Sequence, residues 1–104
     1  MSPDALRATL ARLGLTQSGA ARLLGVRVTT MQRWTGAAGE RGARKPPPLL
    51  SALLTAWTRR PAILDAMQAG EYVPGPLAAA DPLLDRLLWA MERDPTLVEA
   101  LRAR

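Results

Sequence analysis

The chain has 104 residues, 48% hydrophobic and 22% charged, with 14 Lys and Arg against 9 Asp and Glu for a formal charge of +5. That length supplies one domain with at most an appendage, and the absence of Cys and His excludes thiolate nucleophiles, imidazole bases, disulfides and the usual zinc cages. Counts of 19 Ala and 18 Leu with no Phe and few β-branched residues predict an all-α protein, and the longest uncharged stretch, Pro46 to Thr58, is too short for a bilayer and holds three prolines.

In chain order, Ser2-Pro3-Asp4 is a helix start: Ser caps, Pro suits the first helical position and Asp complements the dipole. Leu6, Leu10 and Leu13 follow at helical spacing, and Gly14 ends the segment. Thr16 caps a second helix with a small-residue inner face of Ala20, Ala21 and Leu24, stopped by Gly25. After the short turn Val26-Arg27, a third helix runs from about Val28 to Trp34 and ends at Gly36. Gly36 to Pro48 has three glycines, three consecutive prolines and Arg41, Arg44 and Lys45, and reads as a basic loop. A fourth helix places Leu50, Leu53, Leu54 and Trp57 on one face, and a short fifth covers Ala62 to Ala69. Residues 71–80, with Pro74, Gly75 and Pro76, read as a linker. Asp81-Pro82 opens a sixth helix bearing Leu83, Leu84, Leu87, Leu88 and Met91. Asp94-Pro95 opens a last one with Leu97, Val98 and Leu101. The expected organisation is a domain over 1–70, a linker over 71–80 and C-terminal helices over 81–104.

Charge divides unevenly along this chain. Residues 1–60 hold ten cations against Asp4 and Glu40, a net +8, whereas residues 61–104 hold four Arg against seven carboxylates, a net −3. A positive field attracts a polyanion and releases its counterions on contact. A basic solvated surface without a partner has the same composition. On the third helix, about 100° per residue gathers Val28, Thr29, Gln32 and Arg33 on one side and Thr30, Met31 and Trp34 on the other. The apolar anchors then hold the helix to a core while the outward row carries groove-reading chemistry. Arg bonds guanine bidentately, Gln bonds adenine, and Val and Thr methyls meet the thymine methyl.

Leu15 to Gly36, LTQSGAARLLGVRVTTMQRWTG, resembles the helix-turn-helix of the Cro and phage-repressor family, the XRE family of bacterial regulators. The matching positions are Leu15-Thr16-Gln17 opening the first motif helix, Ala21 at the crossing, Leu24-Gly25-Val26 at the turn, Thr30 and Met31 inside the second helix, and Trp34 at its end. With the fourth helix the similarity covers about residues 3–60. It implies a lambda-repressor-like bundle with a C-terminal helical extension, and base contacts from Val28, Thr29, Gln32 and Arg33. It also implies backbone contacts from Gln17 at a helix N-terminus and from Arg41, Arg44 and Lys45 after the recognition helix. Arg27 stands where the family commonly has a Ser or Thr cap, which weakens the cap and adds a charge at the groove edge for a contact to the DNA backbone or to a base. Gly19 is a second departure, costing about 1 kcal/mol relative to Ala within a helix; it allows close approach of the DNA backbone or reflects drift. For Arg41, Arg44 and Lys45, solubilising loop charge is the alternative; for Gln32 and Thr29 it is a merely solvated side chain.

On the sixth helix Trp89 falls among Asp85, Arg86, Glu92 and Arg93, opposite the leucines. It is either an interface anchor or packs on the fifth helix or linker of its own chain. Single modules of this size read few bases, and such regulators usually pair across a two-fold axis. The expectation is a homodimeric, cytoplasmic repressor, bacterial or phage, bound to a palindromic double-stranded operator, without cofactor, metal or membrane partner. Trp89, Leu84 and Leu88 carry the dimer or partner contact. The alternative is an antitoxin or adaptor whose C-terminal helices bind a partner protein. Scattered carboxylates and the lack of a phosphate-binding loop speak against an enzyme, and Asp4, Arg7 and Arg12 against a secretory signal.

Overall fold

The computed structural model describes residues 1–36 and 45–102, and every regular element among them is a helix. In order these are α1 (Pro3–Arg12), α2 (Gln17–Leu24), α3 (Val28–Thr35), α4 (Pro48–Arg59), α5 (Pro61–Gln68), α6 (Pro82–Arg93) and α7 (Leu97–Arg102). None is long and apolar enough to cross a membrane.

The helix starts follow local chemistry. The first amides of a helix lack intrahelical acceptors, and a side-chain oxygen just before them supplies one. Ser2 accepts from the Ala5 amide, Thr16 from the Gly19 amide at 2.9 Å, and Asp81 from the Leu84 amide at 3.2 Å. A Cβ added at Gly19 would lie 3.0 Å from the Thr16 hydroxyl. Glycine there keeps the cap uncrowded, a reason for this residue that the motif alone does not supply.

The chain divides into two compact units, Met1–Pro48 and Leu49–Arg104. In the first, α3 packs on both α1 and α2, and Leu6, Leu10, Ala20, Ala21, Leu24 and Met31 are buried. In the second, Leu50, Leu53, Leu54 and Trp57 of α4 are buried, as the spacing predicts, together with Ile63, Leu64 and Met67 of α5, Leu83 and Leu87 of α6, and Leu97 of α7. The Trp57 indole N–H donates to Met67 Sδ at 3.3 Å, so the buried ring keeps a partner for its polar edge.

This division lies at Pro48/Leu49, upstream of the 71–80 segment where composition suggests a boundary. The charge partition shifts with it: residues 1–48 carry +6 and residues 49–104 carry −1. Arg59 and Arg60 fall in the second unit, where Arg60 pairs with Asp94 at 3.3 Å. Residues 71–80 form no regular element, yet they make specific contacts with α6. Tyr72 stands edge-on to Trp89 with ring centroids 5.6 Å apart, and the Tyr72 hydroxyl, Gly75 amide and Leu77 amide all donate to the Asp85 carboxylate.

Candidate functional site

The turn between α2 and α3 is set by Gly25. Its φ of +72° lies in the left-handed region that side chains with a Cβ disfavour. The Val26 amide then reaches the Ala21 carbonyl at 3.0 Å and the Gly25 amide the Arg22 carbonyl at 3.3 Å, the paired bonds that close a helix and redirect the chain. Arg27 occupies the N-cap position of α3 and makes no side-chain cap bond. Its guanidinium is not spent on the helix start, and the residue is exposed.

On α3 the predicted two-sidedness appears as a burial pattern. Met31 is fully buried and Trp34 nearly so, with Thr30 half-buried, whereas Val28, Thr29 and Arg33 are exposed and Gln32 is half-buried. Positions 28, 29, 32 and 33 are neighbours at helical spacings of three and four, so they form one stripe opposite the anchors.

The surrounding charge is one-sided. Asp4 is the single carboxylate among the described residues of the first unit, and it is paired with Arg7. Arg12, Arg22, Arg27, Arg33 and Lys45 are exposed, and none forms an ion pair with a described carboxylate. Arg41 and Arg44 lie outside the described residues.

Thr35 is a residue beside the candidate site that sequence reasoning misses. It is fully buried at the last turn of α3. Its hydroxyl lies 3.3 Å from Gln17 Oε1 and 3.1 Å from the Gln32 carbonyl and shares its proton between them. The Thr35 carbonyl accepts from Arg7 of α1. The Gln17 carboxamide oxygen is thereby engaged, and its two N–H donors are not used in that bond. An open cleft of about 270 Å³ adjoins it, lined by Arg7, Leu10, Ala11, Leu15, Thr16 and Gln17. The only sequence signal for Thr35 is a polar residue directly beside the Trp34 anchor. Its partners are 18 residues away along the chain, at Gln17, and 28 away, at Arg7.

The expected C-terminal contact surface is rearranged. Of the two readings of Trp89, packing on the 71–80 segment of its own chain is the one seen: it is half-buried against Tyr72, with the Arg93 guanidinium 5.3 Å from its ring centre. Leu84 is half-buried, and of the three residues only Leu88 is exposed. Asp85, placed by periodicity on the charged outer face, is 6% exposed. The buried stripe of α6 is Leu83, Leu87 and Ala90, and the 72–77 segment covers a second side of the helix. A Cβ at Gly75 would lie 2.8 Å from Asp85 Oδ1, so glycine is required where the backbone approaches the carboxylate.

The Gly75 amide, followed by the Tyr72 hydroxyl, holds the Asp85 pKa below its ordinary value. Burial, reinforced by Asp85, pushes the Tyr72 phenol from 10.0 to about 12. The neutral phenol is the form that folding favours. Its contribution is complete below pH 10.0 and is lost as pH rises through about 12. In urea unfolding from pH 9 upwards, the stability difference between the protein and Tyr72→Phe is expected to hold until about pH 10 and then to shrink towards pH 12. A difference unchanged across that window rules out a coupled phenol. No family model, curated protein or solved structure matches the chain.

Proposed function

We propose that this chain is a sequence-specific DNA-binding regulator of the lambda-repressor-like, XRE type, with α2 and α3 as its helix-turn-helix. Two copies occupy a palindromic operator of its own or a neighbouring operon and repress by excluding polymerase. The observation that carries this reading is the α3 stripe. Val28, Thr29, Gln32 and Arg33 lie opposite the buried Met31 and Trp34, in a unit whose one described carboxylate is already taken by Arg7. A guanidinium, a carboxamide and two methyl-bearing side chains within two turns are the groups that major-groove readout uses.

In this reading Arg33 presents its fork to guanine O6 and N7, Gln32 bonds adenine N6 and N7, and Val28 and Thr29 meet thymine methyls. Phosphates are held by Arg27 and Lys45 and by the Gln17 N–H donors at the start of α2, where the helix dipole favours an anion. Arg41 and Arg44 add charge from the intervening sequence. The contact between Thr35 and Gln17 Oε1 engages the oxygen of that side chain and leaves its N–H donors for such a bond.

Selection of bound sequences from random double-stranded DNA tests the proposal. The expected result is a palindromic consensus with half-sites about one helical turn, roughly 34 Å, apart. Enrichment of no sequence at moderate salt overturns it.

A further inference from the structure

The second unit contains a cleft that the DNA-binding reading does not use. It has a volume of about 500 Å³ and lies between the 73–77 segment and α6, with Val73, Leu77, Leu88, Trp89 and Met91 among its lining residues. Val73 is 70% exposed, Leu88 43% and Leu77 36%. These are three of the five large apolar side chains exposed among the described residues, and they converge on one concavity. Scattered exposed apolar residues are ordinary; a contiguous set around a cleft marks a binding surface.

The cleft is also held in shape. A buried carboxylate is costly unless its oxygens are satisfied, and Asp85 is satisfied by the Tyr72 hydroxyl, the Gly75 amide at 3.0 Å and the Leu77 amide at 3.3 Å. Those donors fix the wall that displays Val73 and Leu77 to solvent. Structural effort spent on keeping apolar groups outside the core is explained by a ligand, and a wall fixed beforehand lowers the ordering cost of binding.

Size and charge identify the occupant. A cleft of about 500 Å³ is of the size that takes a few side chains, which one short segment supplies. The only ionisable residues in the lining are Asp85 and Glu92. Asp85 is committed to its three donors, while Glu92 is exposed and forms no ion pair with a described cation. A second copy docked symmetrically would set two such acidic rims against each other. We infer that the cleft receives a short amphipathic helical segment of a partner protein, with two apolar anchors on one face and a Lys or Arg beside them. Such anchors recur every three or four residues in groove-bound helices, and the cation meets Glu92. This inference uses the second unit alone and does not depend on DNA binding by the first.

Peptide phage display on the immobilised 104-residue chain tests it. Peptides with apolar residues three or four apart and an adjacent Lys or Arg are expected to be enriched. A synthetic copy of the strongest is expected to bind at least tenfold more weakly to Leu88→Asp and to Val73→Asp, and Glu92→Lys is expected to turn the selection toward acidic peptides. All three positions are exposed, and thermal unfolding checks that each variant keeps its fold. The inference is overturned if no peptide is enriched, or if the selected peptide binds the variants as tightly as the parent chain. It is equally overturned if sedimentation shows self-association that Leu88→Asp abolishes, because the occupant is then a second copy.

Discussion

Replacing Trp57 with alanine will destabilise the protein by about 3–5 kcal/mol. Trp57 heads the fully buried side chains in size, with no exposed surface. Deleting the indole removes its transfer free energy and leaves a void, because close-packed surroundings relax only partly. The Met67 sulfur that accepts its N–H is a weak acceptor and contributes the smaller share. Trp57→Phe, which keeps most of the ring volume and loses that bond, should therefore cost far less than the alanine variant. Urea unfolding followed by circular dichroism reads both as shifts of the midpoint. An alanine variant within about 1 kcal/mol of the parent, well below the usual cost of such a truncation, shows that the ring is not the centre of the second unit's core.

The second large effect tests the proposed DNA recognition and separates two kinds of contact. Arg33→Ala is expected to cost about 1–3 kcal/mol on the selected operator and to relax preference at a single base position. Arg27→Ala is expected to weaken operator and random DNA alike and to reduce the salt slope by about one. Arg27 is a clean probe because it makes no side-chain cap bond, so its removal does not disturb the start of α3. Fluorescence anisotropy over a range of salt concentrations distinguishes the two. Identical behaviour of both variants on specific and random DNA sinks the division of roles.

What the sequence makes legible is what local chemistry decides. Ser2, Thr16 and Asp81 are recognisable as caps because an oxygen-bearing side chain is followed by a helical period, and each makes its bond to an amide three residues on. The α3 stripe is legible for the same reason, since periodicity alone separates Met31 and Trp34 from Val28, Thr29 and Arg33. Long-range contacts are different. Periodicity treats α6 as a helix covered on one side, which sends Asp85 to solvent and leaves Trp89 with two readings, an interface anchor or a ring packed on its own chain. The structure covers it twice, because 72–77 folds back and offers backbone and phenolic donors to a carboxylate. The same Pro74-Gly75-Pro76 composition that suggests a linker serves there to shape a chain around Asp85. Glycine gives clearance and the prolines limit the backbone on either side. Composition reports the backbone geometry a segment adopts, and it is silent on whether that geometry is packed. Thr35 was beyond reach for a related reason: one threonine beside a tryptophan carries no pattern, and its contact with Gln17 exists only once α2 and α3 are packed.

Under the proposed function, the bond from Arg7 to the Thr35 carbonyl sets how small a fragment of this chain is worth testing for DNA binding. A peptide spanning Thr16 to Gly36 contains both α2 and α3, with the Thr16 cap and the Gly25 turn, and looks self-sufficient on paper. It lacks the guanidinium that ties off the last turn of α3, and it lacks the α1 residues Leu6 and Leu10, buried in the same unit. Grafts or minimal fragments built from the two motif helices should therefore carry the first twelve residues as well.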